Sequence, residues 1–166
     1  MKTFKIVIAI LAFTVNIAHA QFIKAELQVN GLTCSLCSKA TEKSLRTLPF
    51  VGDIKVDLNR NIFLIAFKDN VPVNLDQISK KVENAGFFIN NLKATFNFTN
   101  IHVVNNYFSY SGDTYRVVNG GNKELNGPVA LTVVEKGFAP SSVYKKYNSQ
   151  PGGSSTKMGR IYQVAI

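Results

Sequence analysis

The 166-residue sequence has no tryptophan, two cysteines, two histidines, two methionines, and 10 acidic residues against 19 basic ones. Past residue 20 it offers two thiols, Cys34 and Cys37, one imidazole, His102, and one thioether, Met158. That set serves poorly the four-ligand tetrahedron of structural zinc. A long apolar run is also lacking: Ile6 to Val15 is the longest, and ten residues are too few to span a bilayer core of about 30 Å. From Thr99 to Ile166 there is no cysteine and no catalytic constellation, so chemistry falls to the two thiols.

The first twenty residues read as a targeting segment. Lys2 and Lys5 precede the apolar run, and Ala18-His19-Ala20 gives an A-x-A pattern before Gln21. This is the layout of a secretory signal peptide, and cleavage near Ala20 predicts a periplasmic or secreted soluble protein without stable membrane insertion. With no cysteine at the cleavage point, lipidation is not expected. Losing Lys2 and Lys5 leaves 17 basic against 10 acidic residues, a net charge of +7. That charge favours acidic partners in general, and export makes nucleic acid the poorest fit among them. Tyr144-Lys145-Lys146-Tyr147 could stack and attract a nucleic-acid strand on a barrel. The pattern also reads as an amphipathic helix with Val143 and Tyr147 inward, the reading preferred for an exported chain.

Residues 21–98 show a clear order of elements. Ile23 to Val29 is a strand. A helix from about Cys37 puts Ala40, Thr41, Leu45 and Leu48 on one face. Ile54, Val56 and Leu58 alternate as a second strand, Asn59-Arg60-Asn61 turns the chain, and Ile62 to Phe67 is a third. Asn74 caps a second helix with Gln77 three residues on, Leu75, Ile78, Val82 and Ala85 on its inner face, and Gly86 as its stop. A fourth strand starts at Phe87. The order β-α-β-β-α-β predicts an α+β, ferredoxin-like sandwich: a four-stranded antiparallel sheet with both helices on one face. The third strand, "IFLIAF", is apolar on both faces. Phe63, Ile65 and Phe67, or their alternates, therefore call for a cover, either the C-terminal region or a second copy in a homodimer through the open sheet face.

The chain divides into a signal peptide at 1–20, the sandwich at 21–98 and a small, mostly β C-terminal region at 99–166 of undefined role. In that region 107–118, 127–137 and 160–166 read as strands, 140–147 as one short helix and 149–157 as a mobile loop. Such a pattern suits a small, partly open, OB-like barrel. Asn97-Phe98-Thr99 matches a glycosylation sequon, of consequence only in a eukaryotic secretory route.

"NGLTCSLCSKATEKSL", Asn30 to Leu45, holds both cysteines between a strand and a helix start. A helix N-terminus stabilises thiolate over thiol, and Lys39 and Lys43 add to the effect. Three readings follow. Two thiolates can clasp one soft ion such as Cu(I), Ag(I) or Hg(II). They can also exchange disulfides, although the intervening Ser35-Leu36, the absence of tryptophan and the element order are unlike a thioredoxin. A structural staple is the third, and so short a loop gains little from one.

"GLTCSLC" at Gly31 to Cys37, the helix after it, Lys55-Val56-Asp57 and Ala85-Gly86-Phe87 together resemble the heavy-metal-associated domain family. That family includes cytosolic copper chaperones, N-terminal domains of copper-transporting ATPases and exported mercury-scavenging proteins. The resemblance covers about half the chain past residue 20. It implies a ferredoxin-like fold, Cys34 and Cys37 as ligands of one soft ion per monomer, usually Cu(I), and a metal-binding protein rather than an enzyme. Leu32 stands where the family most often has methionine, a packing position. Phe87 resembles the aromatic of transporter domains and mercury scavengers, where soluble chaperones tend to have lysine. Metal would pass by ligand exchange to or from a donor or acceptor protein whose acidic docking face meets Lys39, Lys43 and Arg46. His102 or Met158 could add a third ligand only if the C-terminal region folds over the loop.

Overall fold

The computed structural model describes residues 21–148 and 160–166. The expected signal peptide at 1–20, the expected loop at 149–157 and Met158 lie outside the described residues. Eleven elements follow in order: β1 Gln21–Asn30, α1 Ser35–Arg46, β2 Val51–Asp57, β3 Ile62–Phe67, α2 Leu75–Asn84, β4 Phe88–His102, β5 Tyr107–Tyr110, β6 Asp113–Val117, β7 Glu124–Val133, α3 Ser141–Asn148 and β8 Ile161–Ala165. No described helix is long and apolar enough to cross a membrane.

Alternation makes the strands. Ala25, Leu27 and Val29 of β1 are buried, as are Phe63, Ile65 and Phe67 of β3, while the residues between them face outward. Helix α1 begins two residues earlier than its apolar pattern suggests, because the Cys34 side chain caps it. Its buried stripe is Ser38, Thr41 and Leu45. Ala40 is exposed, and Leu48 is buried in the turn beyond the helix. Helix α2 begins as the sequence predicts, Asn74 Oδ1 accepting from the Gln77 amide at 3.0 Å. It ends in a Schellman turn: the Gly86 amide donates to Glu83 O at 2.9 Å, the Phe87 amide donates to Val82 O at 3.1 Å, and Gly86 has φ +86°.

Strands β2, β3, β1 and β4 are neighbours in that order, all antiparallel, which is the expected sandwich. Phe63, Ile65 and Phe67 join the same core as Leu45, Ile78 and Val82 of the two helices. The inward set therefore packs under the helices, in a core that runs on through Phe22 to Tyr110 of the C-terminal region. The outward set stays open: Leu64, 38% exposed, lies between Glu26 and Lys55 in register, so polar neighbours border it.

Strand β4 continues beyond the sandwich. It pairs with β1 from Asn30↔Phe88 to Gln21↔Asn97 and with β7 from Lys93↔Thr132 to His102↔Glu124, running through position 98. The sheet then proceeds β7, β8, β6, β5, with β6 and β8 parallel. A bridge between Val104 and Tyr107 returns β5 to the end of β4 around Asn105-Asn106, both at positive φ as a tight hairpin requires. At the other end of β5, the Tyr110 hydroxyl donates to Asn97 O at 3.0 Å and accepts from its amide at 3.2 Å. This curl encloses an aromatic cluster. Phe96 lies 4.5 Å from Phe22, 5.1 Å from Tyr110 and 5.3 Å from Tyr115, ring centre to ring centre.

Two further ties join the halves. Arg160, just before β8, takes both carboxylate oxygens of Asp76 on α2, at 2.9 and 3.0 Å, and Glu135 Oε1 at 2.6 Å. The Ser79 hydroxyl donates to Gly137 O at 2.9 Å. Burial holds the Glu135 carboxyl above its ordinary value, partly opposed by the bond to Arg160.

Because Phe96 is fully buried among rings from β1, β4, β5 and β6, Phe96→Ala should cost about 3–5 kcal/mol, read from urea denaturation. Glu135 sets a pH dependence. A carboxyl whose value is raised on folding favours the fold while protonated, below its ordinary 4.5, and withdraws that contribution as pH rises through the raised value. Glu135→Gln should therefore remove part of any loss of stability on going from pH 4 to pH 7. An unchanged slope would contradict the assignment.

Candidate metal centre

The end of β1 delivers the chain to Gly31 at φ +89°, a conformation that side chains rarely adopt. A Cβ at Gly31 would lie 3.6 Å from Phe87 Cδ1, so the turn after α2 flanks the start of the cysteine loop. Leu32 then inserts into the core, the packing role its position in the motif implies. Thr33, Cys34, Ser35 and Leu36 are exposed, and Cys37 is half-buried against the core.

Cys34 is the N-cap of α1, with extended φ −137° and ψ 151°. Its sulfur accepts the Cys37 amide at 3.2 Å and its carbonyl accepts the Ser38 amide at 3.2 Å. The Thr41 hydroxyl donates to Cys37 O at 3.0 Å. The two Cα atoms are 5.4 Å apart, and the sulfurs are joined in a disulfide. The first turn of α1 contains no acidic residue, so nothing opposes the positive end of the helix at these sulfurs. Once reduced, the pair presents two thiolates from one helical turn, a geometry that suits one soft ion between them. The same two sulfurs, one exposed and one half-buried, also meet the requirements of disulfide exchange.

The other residues singled out from the sequence are distributed differently. His102 ends β4, fourteen residues beyond Phe88, which pairs with Asn30 beside the loop. At about 3.3 Å per residue that is roughly 45 Å of strand, so His102 is no third ligand. Among the described residues no group of three or more His, Cys, Asp and Glu side chains is placed to hold a metal. Lys39 and Lys43 are exposed on α1. Arg46 is engaged instead, with Glu42 at 2.8 Å, Asp53 at 3.4 Å and Ile54 O at 2.8 Å.

Sequence reasoning missed two features beside the loop. Leu36, between the cysteines, is 76% exposed, and Phe88, in register with Asn30, is 72% exposed. Leu36 carried a signal, an apolar residue in the first turn outside the helix's buried stripe. Phe88 did not, since the doublet Phe87-Phe88 leaves open which ring points inward.

Comparison with known proteins locates the resemblance on this loop. The family profile described as "Heavy-metal-associated domain" matches residues 26–88. A probable copper-transporting ATPase of Arabidopsis thaliana is 38% identical over 64 residues, 39% of this chain and 6% of that protein. A copper-transporting ATPase of Helicobacter pylori is also 38% identical over 64 residues, 8% of its length. The chain thus spans less than a tenth of the curated relatives it matches. Among solved structures, the yeast copper transporter domain CCC2A, determined in apo and Cu(I)-loaded states, is 28% identical with a TM-score of 0.36, covering 40% of this chain and 90% of that one. The apo N-terminal domain of ZntA is 17% identical at the same TM-score, covering 42% of this chain and 90% of its own. The motif, the element order and the profile match coincide on one segment, residues 26–88, which is similar to the heavy-metal-associated domain family.

Proposed function

We propose that the protein captures one soft metal ion, Cu(I) before Hg(II) or Ag(I), between the thiolates of Cys34 and Cys37, and passes it on without catalysing a reaction. The observation that carries this reading is the placement of Cys34 as N-cap of α1, its sulfur taking the Cys37 amide at 3.2 Å. That placement stabilises charge on sulfur, and soft sulfur selects Cu(I) over harder ions. The copper-transporting ATPases among the relatives support the choice of metal. Transfer goes by ligand exchange, with exposed Cys34 leaving first, and the exposed lysines Lys39 and Lys43 face an acidic donor or acceptor.

The signal-peptide pattern of residues 1–20 supports export to the periplasm or beyond. In such a compartment the disulfide is a resting form, and a dithiol reductant supplies two electrons and two protons before metal enters. That bond also favours a second reading, thiol-disulfide exchange by the same pair. The ring of pairings from β4 through β7, β8, β6 and β5 supports an OB-like, partly open barrel for the C-terminal region. The open outer face of β3 is the surface available to a homodimer.

Reduced protein should bind one Cu(I) per monomer under anaerobic titration, and the oxidised protein none. The double variant Cys34→Ser, Cys37→Ser should bind none while keeping its circular dichroism spectrum. Stoichiometric binding by that variant would refute the assignment. Catalysis of insulin reduction by metal-free protein, well above the rate with free dithiol, would establish the exchange reading in its place.

A further inference from the structure

Leu36, 76% exposed, and Phe88, 72% exposed, are the two most exposed large apolar side chains among the described residues, and both stand at the cysteine-loop end of the molecule. Leu36 lies between Cys34 and Cys37 in the first turn of α1. Phe88 pairs with Asn30, the residue before Gly31, and the neighbouring Phe87 ring flanks Gly31. We propose that this end of the protein adsorbs reversibly to an anionic lipid surface, with Leu36 and Phe88 entering the layer between headgroups and acyl chains and the nearby lysines meeting phosphate. The adsorption needs no metal and goes beyond the reading of Cys34 and Cys37 as ligands.

Helix geometry gathers the charge. Positions 36, 39, 40 and 43 fall on one face of α1, and Leu36, Lys39, Ala40 and Lys43 are all exposed there, opposite the buried Ser38, Thr41 and Leu45. No acidic residue lies in the first turn, and Glu42 is taken by Arg46 at 2.8 Å. Phe88 shares a concave surface with Lys80, Lys136, Glu83 and Asp76. Asp76 is held by two guanidinium nitrogens of Arg160, at 2.9 and 3.0 Å. Lys39, Lys43, Lys80 and Lys136 therefore outnumber Glu83 around the two apolar side chains.

Shape separates lipid from protein as the occupant. A stable protein interface removes about 800 Å² from each partner with close complementarity, whereas here two side chains project singly from a helix turn and a strand head. A bilayer surface deforms around such projections and asks for no complementary fold. Apolar side chains on a basic face sink about 5–10 Å into the boundary between headgroups and acyl chains, and each lysine near the surface adds attraction to anionic lipid. With so few anchors the contact is reversible, and its electrostatic part weakens with salt. Lys39 and Lys43 meet phosphate while the protein rests on the surface and are released to an acidic partner when it leaves.

The chain has no tryptophan, so a single indole is a clean probe. The protein is used in its exported form, without residues 1–20, whose apolar run would itself bind vesicles. On adding vesicles of equal parts phosphatidylglycerol and phosphatidylcholine, Leu36→Trp and Phe88→Trp should each shift their fluorescence to the blue and be quenched by brominated acyl chains. Val104→Trp, at the hairpin end, should do neither. In sedimentation with the same vesicles, Leu36→Ser and Phe88→Ser should each weaken binding about tenfold, as should Lys39→Gln combined with Lys43→Gln. All four positions are exposed, so the circular dichroism spectrum should be kept, and vesicles of phosphatidylcholine alone should bind the wild type at least about tenfold more weakly. Absence of wild-type binding to the anionic vesicles would overturn the proposal. So would binding that Leu36→Ser and Phe88→Ser leave unchanged, or an equal blue shift at position 104, since either means contact by charge alone or through another face. The double variant Cys34→Ser, Cys37→Ser should adsorb as the wild type does, which keeps failure of adsorption distinct from failure to hold Cu(I).

Discussion

Strand β4 carries both halves of the molecule. Its residues 88–97 pair with β1 and its residues 93–102 with β7, so 93–97 are held on both sides and join the two halves through one ladder. Its inward side chains serve two packings in succession: Ile89, Leu92 and Ala94 in the core with the helices, then Phe96 and Phe98 among the rings of the curled half. Two register shifts, between Phe22 and Lys24 and between Gln28 and Val29, separate the pairing of Phe88 with Asn30 from that of Phe96 with Phe22. Within each uninterrupted run, a slip of one residue would turn the buried side chains outward.

Against that fixed frame, the cysteine loop needs few special residues. Gly31 turns the chain, Leu32 anchors it, and Cys34 caps the helix that Cys37 enters. The capping bond is the economical part of the design. A serine or asparagine would satisfy the same amide, but a cysteine at that position, once its disulfide to Cys37 is reduced, also offers a thiolate that the helix end stabilises. The Schellman turn at Gly86-Phe87 closes the opposite flank of the loop, so both ends of α2 matter to it. Its first turn is held by Arg160, and its last places Phe87 against Gly31.

The sandwich and the position of the cysteines were legible because local signals agreed: period-two strands, an Asn cap with Gln77 three residues on, and a glycine stop. The helix starts two residues before its apolar pattern because cysteine is a rare cap, and Ala40, one residue from Thr41, turns outward beside the buried Ser38, Thr41 and Leu45 stripe. What stayed illegible depends on distant pairing. Nothing near Arg160 in sequence points to Asp76, 84 residues earlier, and nothing in Thr95 to Asn100 marks a strand that keeps going. The fate of "IFLIAF" was undecided for the same reason, since its outer set needs only polar neighbours, and Glu26 and Lys55 are visible as such only once the register is known.

The Asn105-Asn106 hairpin and the cysteine loop sit at opposite ends of β4, separated by nearly the full length of one strand. That separation makes the protein a two-ended object. A contact made at the hairpin end would leave the cysteine loop, at the far end of the strand, uncovered.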